Sequence, residues 1–112
     1  MKKKNIVKEN KDFSNLINSG KKCWNDTFSI YYGNNICNNY RFGISVSKKI
    51  GNAVVRNKIK RQIRSIIDKH KNIYQNEKDY IIIVRKNYIN LNFSELEIKF
   101  LELMKKITHK GE

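Results

Sequence analysis

Residues 78–86, KDYIIIVRK, form a run of aromatic and β-branched residues that is short for a helix and apolar on both faces of an extended chain. Such a stretch belongs in the middle of a sheet, so the rest of the chain must supply strands on its edges and cover for its faces. With 112 residues there is length for one core and not for two. The expectation is a single domain over residues 1–112.

The partner segments are legible from their period. TFSIYY, residues 27–32, places Phe28, Ile30 and Tyr32 on one side and Ser29 and Tyr31 on the other. RFGISVS, residues 41–47, places Phe42, Ile44 and Val46 on one side and Arg41, Gly43, Ser45 and Ser47 on the other. That second, small-residue face either meets solvent or leaves room for a ligand's backbone to approach the sheet closely. The polar GNNICNNY between the two strands is a loop.

Three helices complete the pattern. NKDFSNLINSG offers Asn10 or Asp12 as a cap, a stripe of Phe13, Leu16 and Ile17, and Gly20 as a stop. From a cap at Asn52, Val55, Ile59, Ile63 and Ile66 share one arc, and Asn57, Lys60, Arg61 and Arg64 lie opposite. In the last segment Ser94 and Glu97 fit a capping box, Phe93 and Ile98 a hydrophobic staple, and Leu96, Phe100, Leu103, Met104 and Ile107 a buried stripe. The resulting order, α-β-β-α-β-α, is an α+β fold of one sheet packed with helices. The basic tail over residues 1–8 and the last few residues are expected to be disordered.

Charge narrows the function. The net charge is +14, from 24 Lys and Arg against 10 Asp and Glu. Between Asp26 and Asp68 there is no acid, yet Arg41, Lys48, Lys49, Arg56, Lys58, Lys60, Arg61 and Arg64 all fall there. A solvated helix face ordinarily mixes signs, whereas Arg56, Lys60 and Arg64 stand at i, i+4 and i+8, where like charges repel. That arrangement suits a polyanion. Lys48 and Lys49 precede a helix N-terminus, which already favours phosphate, and Asn52 and Asn57 add groups that both donate and accept. RNA or DNA is therefore the expected partner. Phe13 and Tyr31, with Trp24 close by in sequence, are candidates for a groove that stacks single-stranded nucleotides, although a lone aromatic on a short helix's apolar stripe is most often core.

Other classes fit less well. No apolar run approaches the ~20 residues that span a bilayer, and the cationic helix lacks interfacial Trp or Phe, so no membrane partner is expected. MKKKN is followed by a polar stretch where an export signal would be apolar, which points to the cytoplasm. Cys23 and Cys37 have no close-spaced partners, and His70 and His109 are remote from them, so neither a metal site nor a disulfide is expected. No paired-carboxylate, nucleophile–base or phosphate-loop pattern appears, so the polypeptide is expected to hold no catalytic residues.

The stretch RFGISVSKKIGNAVVRNKIKRQIR, with DYIIIVRK after it, resembles the signature of the bacterial ribonuclease P protein subunit, and the likeness extends from about Asp12 to Ile107. The resemblance implies a left-handed β-α-β crossover, against the usual right-handed preference. It also implies a cofactor of a catalytic RNA that, with Mg²⁺ used by the RNA, removes 5′ leaders from precursor tRNA. The protein would be monomeric in a 1:1 ribonucleoprotein. By that resemblance Lys48, Lys49, Asn52, Arg56, Asn57, Lys58, Lys60, Arg61 and Arg64 would contact the RNA. Phe13, Ile17 and Tyr31 would line the leader cleft. Two positions depart from the family pattern: Lys58 stands where arginine is usual, losing a bidentate fork, and Ile17 stands where an aromatic is common. Lysines and the apolar Ile6 and Val7 also replace the arginines that usually precede the first helix. The rival reading is a basic ribosomal or general RNA-binding protein with no role in cleavage.

Overall fold

The computed structural model describes residues 5–7 and 10–109. Seven main elements follow one another: α1 (Asn10–Ser19), β1 (Lys21–Trp24), β2 (Phe28–Asn34), β3 (Arg41–Ser45), α2 (Ala53–Lys69), β4 (Lys78–Val84) and α3 (Phe93–His109). The strands make one sheet in the order β1-β2-β4-β3. β1 and β4 each run antiparallel to β2, and β3 runs parallel to β4. The KDYIIIVRK run is thus an interior strand, joined to its parallel neighbour through α2.

Register separates the two faces of the sheet. Phe28, Ile30 and Tyr32 of β2, Phe42 of β3 and Tyr80, Ile82 and Val84 of β4 share one face and are buried. α2 lays Ile59, Ile63, Ile66 and Ile67 into the same core, and α3 lays in Leu96, Phe100, Leu103 and Met104. Edge-to-face packing of Phe28 on both Tyr88 and Phe100 ties α3 to the sheet. Burying four isoleucines is worth ~1.5–3 kcal/mol each, while each like-charge pair on the outer side of α2 costs only ~0.2–0.5 kcal/mol. Burial therefore sets the roll of α2 and turns its cations outward.

The opposite face carries α1. Phe13 lies over Gly43 of β3 and Leu16 over Gly33 of β2, each so close that an added Cβ would sit 2.8 and 2.7 Å from the covering ring or methyl carbon. Ile81 is fully buried on this face. β4 is apolar on both sides because helices cover both.

Several expectations shift. The order contains an additional edge strand, β1, which period could not reveal because KKCW has a single inward apolar residue, Cys23. Val55 is 38% exposed, resting on Gly51 at the rim, and Ile67 takes the core place instead. The capping box of α3 is Asn92 with Glu95, not Ser94 with Glu97: the Glu95 N–H donates to Asn92 Oδ1 at 2.9 Å, and the Asn92 N–H donates to Glu95 Oε1 at 3.0 Å. The staple positions move with it, from the exposed Phe93 and Ile98 to Leu91 and the buried Leu96. Asn5–Val7, within the expected tail, lies along β3, with Ile6 bridged to Phe42 and the Val7 N–H donating to the Phe42 carbonyl at 3.0 Å. The rest of that tail, residues 110–112 and the side chains of Asn10 and Asp12 fall outside the described part. Cys23 in the core and Cys37 in the β2–β3 loop are free thiols.

Candidate nucleic-acid interface

The turn before α2 is built by short local bonds. Ser47 accepts the Ile50 N–H through its carbonyl at 3.0 Å and the Lys49 N–H through its hydroxyl at 3.2 Å, which leaves Lys48 and Lys49 exposed. Asn52 caps the helix, its Oδ1 accepting the Val55 N–H at 3.0 Å. That carbonyl is committed to the cap, so Asn52 offers a ligand chiefly its amide N–H groups. No acid stands in the first turn of α2, and its free N–H groups and dipole face outward beside two lysines.

Along α2, Asn57, Lys58, Arg61 and Arg64 are exposed and Lys60 is half-buried. Arg56 is half-buried and donates through Nε to the Gly51 carbonyl at 3.2 Å, which bends it back toward the helix start. Among the described residues, no ion pair engages Lys48, Lys49, Lys58, Lys60, Arg61 or Arg64. Arg41 does not join them. It lies on the other sheet face, half-buried, and clamps Asp79 with Nε–Oδ1 2.8 Å and Nη2–Oδ2 2.7 Å.

The acids are occupied elsewhere. Asp26 pairs with Lys99 at 3.2 Å, and hydrogen bonds from Thr27 and then Lys99 hold its carboxyl below the ordinary range. Glu97 joins α3 to the end of α2, reaching His70 at 2.8 Å and Lys69 at 3.0 Å. Those hydrogen bonds, from His70 first and then Lys69, lower its carboxyl from the ordinary 4.5. A depressed carboxylate stabilises the fold above its unfolded value and loses that contribution as pH falls through its folded value. Glu97→Gln is accordingly expected to flatten the pH dependence of thermal unfolding below about 4.5. An unchanged acid limb in melts taken across that range would contradict the assignment.

The second surface is the cleft between α1 and the sheet. Phe13 and Ile17 of α1 and Tyr31 of β2 are all half-buried, and register puts Tyr31 beside Ile81 on the α1 face. The room foreseen at the small-residue face is partly taken, since Phe13 fills the space over Gly43. Beside it, register aligns a row across the sheet, the half-buried Ser45 and Ile83, the buried Ser29 and the exposed Trp24. A hollow lined by Ile6, Val7, Phe13, Gly43, Lys60 and Arg64 connects this cleft to the cationic helix. The aromatic and cationic surfaces, read separately in the sequence, are therefore neighbours. Lys22 escaped sequence reasoning because the strand holding it was not visible, and Trp24, noted there only for its closeness in sequence to Phe13 and Tyr31, takes its place on the sheet from β1.

No group of three or more His, Cys, Asp or Glu side chains is gathered anywhere among the described residues. No described helix is long and apolar enough to cross a membrane.

The family profile described as Ribonuclease P matches residues 1–108. The Ribonuclease P protein component of Mycoplasma mycoides is 46% identical over 108 residues, covering 96% of this chain and 99% of that protein. Its counterpart from Streptococcus agalactiae is 44% identical over 105 residues, 94% of this chain and 95% of that protein. Among solved structures, the RNase P protein of Staphylococcus aureus superposes with a TM-score of 0.85 at 36% identity, over 92% of this chain and 94% of that one. The RNase P protein of Thermotoga maritima gives 0.82 at 30% identity, over 90% and 96%.

Proposed function

The chain belongs to the ribonuclease P protein family, and from that premise we propose how its two surfaces divide the work. It is the protein subunit of a ribonucleoprotein endoribonuclease that acts in tRNA 5′ processing, and its partner is ribonuclease P RNA. The cationic face of α2, with Lys48, Lys49, Asn52, Asn57, Lys58, Lys60, Arg61 and Arg64, holds that RNA. Arg56 shapes the helix start and reaches the RNA from its rim. The cleft of Phe13, Ile17 and Tyr31 holds the single-stranded 5′ leader of precursor tRNA.

The observation that carries this reading is the row of cations without carboxylate partners among the described residues, opening through a shared hollow into an aromatic-lined cleft. Phosphate neutralisation suits the first surface and base stacking the second. The described side chains do not suit a Mg²⁺ site, because the cationic face offers no carboxylate oxygens and Mg²⁺ is a hard, oxygen-seeking ion. We assign the ions to RNA phosphates, where they would supply the hydrolytic chemistry. Within the protein's share, α2 screens the RNA's charge and the cleft orients the leader. The same proposal takes one protein per RNA, acting in the cytoplasm.

Reconstitution tests it. Adding the protein to ribonuclease P RNA should restore precursor-tRNA cleavage at physiological Mg²⁺, and log affinity for the RNA should fall against log salt by roughly 0.7–0.9 per phosphate contacted. Unchanged cleavage on adding protein would sink the proposal. Phe13→Ala is expected to weaken binding of leader-bearing tRNA by about 5- to 100-fold, the worth of one stack, with mature tRNA little affected. Equal losses for both substrates would contradict the cleft assignment.

A further inference from the structure

On β1, Trp24 projects from the same sheet face as Tyr31, and its ring is 58% exposed. Between the two rings stands Lys22, whose Nζ is 5.3 Å from the Trp24 ring and 5.3 Å from the Tyr31 ring. Both separations are within cation–π range. Exposing an indole to water is unfavourable, and neither α1 nor α3 covers it. Lysines on an edge strand often serve only to discourage pairing with another chain, but Lys21 already supplies one, and Lys22 is instead held between two rings.

Trp24 also ends the row that begins at Ser45 and crosses Ile83 and the buried Ser29. Its two serines are small, which allows a strand of nucleotides to lie low, and among the described residues no acid stands in the row. Asp26, two residues beyond Trp24, is engaged by Lys99.

We propose that Lys22 and Trp24 extend the leader cleft by one further subsite, in which Trp24 stacks on a base upstream of the one at Tyr31 and Lys22 meets the intervening phosphate. This inference rests on the leader-cleft reading given above. The leader enters from the β3 side, where the cleft joins the cationic helix, and crosses toward the β1 edge. Three strand spacings of ~4.8 Å separate these edges by about 14 Å. A leader of about two nucleotides, at ~3.4 Å per stacked base, stops short of Trp24, while one of about ten passes it.

The test uses the reconstituted holoenzyme and precursor tRNAs with leaders of these two lengths. Trp24 is the single tryptophan of the chain, so its emission in the wild-type protein reports the subsite directly. The long leader should change that emission and the short one should not. Trp24→Ala should weaken binding of the long-leader substrate by about 5- to 100-fold and leave the short-leader substrate unchanged, with Trp24→Phe largely restoring affinity. Emission indifferent to the long leader, or losses equal at both lengths, would overturn the proposal. Phe13→Ala separates the two readings. If it still distinguishes leader-bearing from mature tRNA while the Trp24 results are negative, the added subsite falls and the cleft stands; if it too makes no distinction, the cleft reading itself has failed.

Discussion

Replacing Lys60, Arg61 and Arg64 together by alanine is expected to weaken binding of ribonuclease P RNA by roughly 100-fold at ~0.15 M salt and to reduce the slope of log affinity against log salt by about 2–3. The argument is counterion release: each phosphate neutralised by a side chain frees one condensed cation, and three such side chains would be gone. Because none of the three has a carboxylate partner among the described residues, their loss breaks no ion pair there. Removing like charges from one helix should even raise its intrinsic stability by a few tenths of a kcal/mol per pair. Weaker binding would then come with an equal or higher melting temperature, which separates it from unfolding. Filter binding at several salt concentrations measures both affinity and slope, and a slope equal to wild type would refute the contact assignment.

The largest loss of stability is expected from Asp79→Ala. Its carboxylate sits on the α1 face at the start of β4, accepts two hydrogen bonds from Arg41 of β3 and a third from Asn35 Nδ2 at 2.7 Å. The side chains are 9% and 18% exposed, Asp79 and Arg41 respectively. Truncating one member of a buried ion pair costs ~3–5 kcal/mol; the residual exposure here argues for the low end, about 3 kcal/mol. For a domain of this size that is a fall in melting temperature on the order of 12 °C. A paired replacement, Arg41→Met with Asp79→Leu, should recover most of it, since both buried charges are then removed together. Thermal melts of both variants decide the matter, and a loss below about 1 kcal/mol for Asp79→Ala would show that the pair holds little.

How much of this was legible in the sequence depended on how much pattern each element carried. α2 and the strands containing Phe28–Tyr32 and Phe42–Ile44 were readable because one buried face imposes a strict period over several residues, and Tyr80–Val84 because a short run apolar on both faces belongs inside a sheet. β1 has four residues and one buried side chain, too few for any period, and with it went Lys22 and the sheet position of Trp24, which had been noted only as near the groove in sequence. Residues Asn5–Val7 make one bridge to β3, a tertiary contact with no local signature. Arg41 was counted among the cations of the acid-free stretch, and its ion pair was not legible because its partner Asp79 lies 38 residues away. The cap of α3 was displaced by two residues because Ser94–Glu97 and Asn92–Glu95 satisfy the same spacing rule, and only the backbone geometry chooses between them. Glu97, released from capping, ties α2 to α3 instead. Helical period placed the cations on the outer side of α2, whereas the grouping of Phe13, Ile17 and Tyr31 as one cleft was implied by the family resemblance; the adjacency of the two surfaces comes from the packing of α1 on Gly43.

The place of β4 between β2 and β3 has a consequence for how the molecule comes into being during synthesis. Both neighbours precede β4 in the chain, and β3 pairs only with β4 among the named strands. Until Lys78–Val84 has left the ribosome, β3 has no partner strand and the isoleucines of α2 have no finished sheet to dock on. At ~5–20 residues per second, the roughly thirty residues from Asn52 to Val84 take on the order of seconds. A chain ended anywhere before β4 would accordingly be an unfolded polycation, not a smaller RNA-binding domain.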